Sequence, residues 1–552
     1  MASGLPDWSN LSLAEQVAQM IVVRASGHLF DHQIEYPVWE PPAAVIQHWL
    51  QDWVVGGVIL LGGTAAEIGL RTQQLQSWAK YPLLICADIE EGVGQRFAGA
   101  TWFPPPMAIG EVAQRDLDLA LQQAEAMGAA TAQEALAIGI NWVLAPVVDV
   151  NNNPQNPVIN IRAWSDKPEI VSQLTTAFIH GAQQHPVLTA AKHFPGHGDT
   201  ATDSHLDLPV IEHDRMRLNQ VELQPFQQAI ANQVDAVMTA HLRLPVLDPD
   251  RPATLSKPIL TGLLRQEMGF EGLIVTDALV MGAITDRYGA NEAAVLAVEA
   301  GADVLMMPVD PIGAIQAICA AVESGRISQA QITTSLERIG RAKQKVCGLP
   351  VAGDSSHAWE AVMAPPIQLE QMAQPETLAT VRNILAASLR LHCPKTGNLD
   401  RPTQPPLRNL ILLDDALNCT FLHRQAPAIV MPSKVGYTLQ VIDSTTPPID
   451  WDAMERSTTL LQLFIRGNPF RSSATLIQRA EQWLDFLLNT KQLQAVVIYG
   501  SPYAAEQLTA HLPAEIPYAF SYGQLPAAQA VALEALLQGM DSAIESAKEF
   551  TD

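Results

Sequence analysis

The sequence predicts an α/β protein: a (β/α)8 TIM-type barrel followed by a smaller α/β sandwich domain. Three observations lead there. Eight short apolar runs alternate with helix-like segments through the first two-thirds of the chain, which is the pattern of a buried parallel sheet wrapped by helices. Polar residues sit at the ends of those runs, where barrels of this kind keep their chemistry. A second, shorter alternation follows, and 552 residues exceed what one hydrophobic core usually organises;.

The runs come in order. QMIVVRA (19–25), VGGVILL (55–61), PLLICAD (82–88) and NWVLAPVVDV (141–150) supply the first four strands. LTAAKHF (188–194), AVMTAHL (236–242), LIVTDAL (273–279) and ADVLMMP (302–308) supply the rest. Between them lie helix formers at helical spacing, among them the segment after Asp118, the one after Lys167, and NEAAVLAVEAG after Ala290;. An open doubly wound sheet is the alternative, since periodicity alone does not close a barrel. A helix ending in basic residues, LERIGRAKQKVCG (336–348), closes this domain;.

The predicted boundaries are 1–350 for the barrel, 351–379 for a linker and connecting helix, and 380–552 for the sandwich. The stretch 351–366 has no clear period, and a helix is expected over Pro375–Leu391. NLILLDD (409–415), LLQLFIRG (460–467) and QAVVIYGSP (494–502) are the second domain's expected strands.

Composition narrows the function. The formal charge of −24, from 57 acidic against 33 basic residues, repels phosphate backbones and anionic membranes;. Nucleic acid is therefore not an expected partner. No apolar run approaches the ~20 residues that span a bilayer, and the first residues lack the pattern of a secretory signal;. Five scattered cysteines without CxxC spacing read as reduced core residues, not as a disulfide framework or zinc site;. A cytoplasmic address follows as the expectation, with no cofactor implied and the oligomeric state open.

The densest chemistry is KHFPGHGDTATDSHLDLP, Lys192–Pro209. Pro195, Gly196 and Gly198 deny this stretch a helix, so it is expected as a strand-end loop presenting proton-transfer groups to one cavity. In Asp203–Ser204–His205 a carboxylate two residues before an imidazole can fix its tautomer and leave the other nitrogen as general acid/base. Alone, such a tripeptide is more often a solvated turn; its crowded loop favours chemistry. Asp277, after the apolar LIVT, is either a helix cap or a carboxylate nucleophile in a dry pocket. Nucleophile and acid/base on opposite sides of a scissile bond match a retaining glycosidase. Asp88, Arg96, Arg162 and Lys192 would offer a sugar ring alternating donors and acceptors.

Lys192, His193, His241 and Asp277 also permit a metal-dependent amidohydrolase-like site. That scheme wants a His-x-His pair after the first strand, and the run ending at Ala25 has none. No metal is expected.

The 192–209 loop, APVVDVNNNPQNPVI, MTAHL, PATLS (252–256) and IVTDALVMGAI together resemble the motifs of glycoside hydrolase family 3. The DSH element resembles that family's β-N-acetylglucosaminidase branch, and YGSPY (499–503) more weakly resembles its sandwich domain. The resemblance implies a retaining exo-β-N-acetylglucosaminidase. It makes Asp277 the nucleophile and His205, oriented by Asp203, the acid/base, with Asp88, Arg96, Arg162, Lys192 and His193 as sugar-binding positions. It implies a small carbohydrate or muropeptide substrate and a part in peptidoglycan recycling; chitin oligosaccharides and transfer to phosphate stay open. A non-catalytic sugar-binding descendant is the competing reading, which retention of Asp277, Asp203 and His205 disfavours. Glu91, Val93 and Ala278 depart from the family pattern and bear on substrate preference.

Overall fold

The computed structural model describes residues 5–200, 208–347, 366–394, 406–447, 451, 454–466 and 474–549. Eight strands form the first sheet: β1 (Ile21–Ser26), β2 (Gly57–Leu61), β3 (Leu84–Ala87), β4 (Trp142–Val143), β5 (Leu188–Phe194), β6 (Ala236–Thr239), β7 (Leu273–Val275) and β8 (Leu305–Met306). Each pairs in parallel with its neighbour in sequence, β8 pairs with β1, and a bridge from Val275 to Val304 joins β7 to the β8 segment. The sheet is therefore a closed barrel rather than an open doubly wound sheet.

All eight runs supply a strand; β5 takes the whole of its run, but most of the others give the ladder fewer residues than the apolar pattern predicts. The ten-residue run at 141–150 contributes two residues to β4. Pro146 has no N–H to give a ladder, although Val147 regains a bridge to Lys192. Burial is nearly complete along the strands, and all seven residues of β5 are buried, Lys192 and His193 included.

The outer helices pack closely where glycine permits. Helix Leu117–Ala137 crosses helix Pro168–Gln183;. A Cβ on Gly128 would lie 2.1 Å from the Phe178 carbonyl oxygen, and one on Gly181 would lie 2.0 Å from that of Glu125. Those two positions set how near the helix backbones come.

The chain divides into two compact units, one of Met1–Pro106 with Ala113–Leu378 and the other of Met107–Val112 with Ala379–Asp552. The second unit holds a six-stranded sheet of β9 (Arg390–His392), β10 (Leu407–Leu412), β11 (Thr438–Ile442), β12 (Thr458–Ile465), β13 (Leu493–Gly500) and β14 (Tyr518–Ser521). The order is β11-β10-β12-β13-β14-β9, parallel except for β9 against β14. Phe464, Tyr499 and Leu533 lie in its core.

The helix expected over Pro375–Leu391 ends at Ser388, and Arg390–His392 turn outward as the edge strand β9. Arg390 and the Tyr522 hydroxyl both donate to Glu111, at 2.6 and 3.0 Å, which ties the short 107–112 segment into this unit. The cysteines are all free, but only Cys86 is fully buried. The other four are half-buried, and of these Cys393 and Cys419 pack against the core of the second unit.

Candidate active site

The carboxyl ends of β3, β4 and β5 bring five charged groups and two imidazoles into one ion-paired face. Lys192, on β5, is buried, and its Nζ lies 2.8 Å from Asp88 Oδ1 and 2.5 Å from Glu90 Oε1. Glu90 in turn accepts from Arg162, with Nε at 2.8 Å and Nη2 at 2.7 Å, a two-pronged pairing that fixes the guanidinium plane;. Arg162 reaches this position from the short turn Asn160–Arg162, where its Nη1 also donates to the Val158 carbonyl.

Burial pushes the Glu90 carboxyl up, but Arg162 and Lys192 outweigh it and hold the group well below the usual carboxylate range;. Burial likewise pushes the Lys192 ammonium down, and Asp88 and Glu90 reverse that, raising it overall. Each partner therefore keeps the other charged. Asp88 is the member that solvent reaches, with a side chain 36% exposed against 1% for Lys192 and 3% for Glu90. Arg96 bonds not to the Asp88 side chain but to its backbone carbonyl, Nε to O at 2.9 Å, and so steadies the turn that presents it.

His193 is held by a buried aspartate that the sequence reading passed over. Asp149 takes the His193 ring Nδ1 at 2.8 Å and its backbone N–H at 3.2 Å. It also accepts the His197 backbone N–H at 2.7 Å. Burial pushes the Asp149 carboxyl up, yet His193 and His197 bring it below its ordinary value. An ionised carboxylate only accepts, so Nδ1 of His193 carries the proton and Nε2 is left facing Arg162 Nη2 at 3.5 Å;. Burial pushes His197 down to about 4 despite Asp149, so its ring is neutral at pH 7.

Asp277 follows β7 and accepts the Ala278 N–H at 2.7 Å. Its negative charge favours the protonated form of the His197 ring, a small effect beside burial. His241, at the end of β6, has both ring nitrogens engaged, Nδ1 with the Thr254 hydroxyl at 2.8 Å and Nε2 with the Ala278 carbonyl at 3.1 Å. A histidine so bonded has no lone pair left for a metal, and Lys192 is held by two carboxylates, so of the two histidines only His193, through Nε2, keeps a lone pair. The geometry gives no support to the amidohydrolase-like arrangement. Asp203 and His205 lie outside the described residues.

Two departures from the family pattern have visible consequences. Glu91 is fully buried and accepts the Trp102 indole N–H at 2.9 Å. Val93 opens a buried 3-10 turn through Gln95. The loop after β5 is drawn inward at Gly198, where a Cβ would meet the Val150 carbonyl oxygen at 1.7 Å. Asn156 spans this approach, its Nδ2 donating to the carbonyls of His197 and Gly198 at 2.8 Å.

Of the eight site residues expected from sequence, the structure gathers Asp88, Arg162, Lys192 and His193 directly, with Arg96 on the Asp88 carbonyl and Asp277 following β7. Glu90, Asp149 and His197 were missed. Asp149 ends the apolar NWVLAPVVDV as Asp88 ends PLLICAD, and that shared position was the available signal.

A closed barrel carrying a charged, partly open face at its strand ends is the arrangement in which barrel enzymes keep their sites. Two family descriptions match the chain: "Glycosyl hydrolase family 3 N terminal domain" over residues 12–342 and "Bacterial Glycosyl hydrolase family 3 C-terminal domain" over 401–538. The chain belongs to glycosyl hydrolase family 3. It is 39% identical over 325 residues to Beta-hexosaminidase A of Pseudoalteromonas piscicida, a match covering 53% of this chain and 54% of that relative, about half its length. It is 31% identical over 322 residues to a Beta-hexosaminidase of Nitrosomonas eutropha, covering 55% and 92% of the two chains. Among solved structures it is similar to a family 3 beta-N-acetylglucosaminidase from Paenibacillus sp. str. FPU-7, with TM-score 0.75 and 29% identity over 96% of this chain and 97% of that one. Among the described residues no helix is long and apolar enough to cross a membrane.

Proposed function

We propose that the protein is a retaining exo-β-N-acetylglucosaminidase that removes terminal β-linked N-acetylglucosamine from small carbohydrate or muropeptide substrates, in cytoplasmic peptidoglycan recycling. The observation that carries this is the Asp88–Lys192–Glu90–Arg162 chain of ion pairs, which offers solvent one partly open carboxylate backed by two fixed cations. Such a set suits vicinal sugar hydroxyls, which both donate and accept. The names of the relatives supply the N-acetylhexosamine.

In this reading Asp88, Lys192, Arg162 and His193 bind the sugar, and Arg96 holds the Asp88 turn. Asp277 attacks the anomeric carbon. His205, oriented by Asp203, gives its proton to the departing oxygen, so that the glycosidic bond breaks as the ester to Asp277 forms. The imidazole, now neutral, takes a proton from water, which displaces Asp277 and restores both groups with the anomeric configuration retained.

The test compares release of an aryl group from a β-N-acetylglucosaminide and from a β-glucoside, each with chelator and with added phosphate. The N-acetylglucosaminide should be preferred, hydrolysed with retention, and indifferent to chelator and phosphate. Preference for the glucoside, or formation of a sugar phosphate, would overturn the reading.

A further inference from the structure

Beyond the sugar site, the structure places Asp199, His213 and Glu222 together, with one ligand atom from each lying within 4.8 Å of the others. His213 Nε2 is 2.8 Å from Asp199 Oδ2. Glu222 is 3% exposed, and its Oε2 is buried without any hydrogen-bond partner. A buried carboxylate oxygen left unpaired is costly. The nearby cation is a poor match. Arg217 Nη2 stands 3.3 Å from Glu222 and 3.8 Å from Asp199, its side chain is 36% exposed, and its Nε also has no partner.

We propose that Asp199, His213 and Glu222 bind a divalent transition-metal ion of the zinc type. One imidazole and two carboxylates suit such an ion, whereas calcium wants six to eight oxygens and magnesium several waters. Ligand atoms about 2.1 Å from a tetrahedral centre are about 3.4 Å apart. His213 and Asp199 stand 2.8 Å apart and all three ligand atoms lie within 4.8 Å of one another, so side-chain rotations suffice to assemble the site once Arg217 swings into water. The three ligands leave a fourth position to water. The ion takes no part in bond cleavage. It joins Asp199, in the loop after β5, to His213 and Glu222, which flank the helix Arg215–Gln220; Asp199 and His213 bracket Asp203 and His205 in the sequence.

Binding is read on the full chain without substrate, so it stands or falls separately from the hydrolase reading. Protein dialysed against chelator is equilibrated with ZnCl2 or MgCl2, and bound metal and Tm are measured. One equivalent of zinc and no magnesium should bind, with Tm rising by about 2–5 °C at saturation. His213→Ala and Glu222→Gln should each lose that equivalent, and Arg217→Gln should tighten it by removing the competing cation. His48→Ala, at an exposed pair with Asp52, should change nothing. Zinc that fails to bind, that persists in both H213A and E222Q, or that disappears with H48A overturns the site. Should H213A not fold, the near-isosteric E222Q decides.

Discussion

Replacing Glu90 with glutamine tests whether the site is held by its ion pairs or only by packing. The side chain keeps its shape, but one carboxylate oxygen becomes an NH2 donor facing cations. Glu90 takes two bonds from Arg162, at 2.8 and 2.7 Å, and stands 2.5 Å from Lys192. With Asp88 it balances the two cations, and its neutralisation leaves one buried positive charge uncompensated. Breaking one side of a buried pair typically costs about 3–5 kcal/mol. Lys192 retains Asp88 at 2.8 Å, so the lower end applies, about 3 kcal/mol, or roughly 150-fold in the folding equilibrium. The assay is urea unfolding of wild type and E90Q, following the barrel's transition, at several pH values. The folded-state pKa of Glu90 is depressed. Its contribution is therefore complete above the unfolded value near 4.5 and is lost as pH falls below that value through the folded one. The gap between wild type and variant should be constant from about pH 7 to pH 5 and shrink below pH 4.5. A gap under about 1 kcal/mol at pH 7, or one that does not narrow with acid, refutes the electrostatic account.

The remaining predictions concern roles and packing. Asp277→Asn should abolish turnover for every leaving group, because no glycosyl-enzyme forms. His205→Ala should slow release of sugar leaving groups by about 10²–10⁴-fold. It should spare glycosylation by a nitrophenyl substrate and produce a burst as the intermediate accumulates; equal slowing of both substrate classes without a burst removes His205 from the acid/base role. Asp149→Asn should lower kcat or raise KM by freeing the His193 tautomer, which NMR of the ring nitrogens would report as a mixture of Nδ1-H and Nε2-H forms. Gly128→Ala pits helix propensity, a gain of about 1 kcal/mol, against a Cβ 2.1 Å from a backbone oxygen. Overpacking of that kind costs about 1–3 kcal/mol and should win, so thermal unfolding should show a lower Tm.

The strand runs were legible because burial on both faces leaves an unbroken apolar signature, and the barrel's eight runs are of that kind. The second domain was read less completely. LLQLFIRG and QAVVIYGSP announce β12 and β13, but β9, β11 and β14 are short, and β9 and β11 lie at the sheet's edges, where exposed residues such as Leu391 and Leu439 dilute the pattern. Ladder lengths were also beyond periodicity, as β4 shows, since an apolar residue is buried whether or not its amide joins a ladder.

By itself the sequence determined the class of fold and marked Asp88, Lys192 and His193, at the run ends, as charged or polar groups that the barrel brings to one face. Only tertiary structure decided the partners. Glu90 meets Arg162 across 72 residues, Asp149 meets His193 across 44, and Asp88 meets Lys192 across 104. Arg96, which sequence offers as a sugar ligand, is instead bonded to the Asp88 carbonyl. Strand order and closure of the ring set those encounters. Charge type is written in the chain, whereas the distance at which two charges hold one another ionised follows from the barrel's geometry.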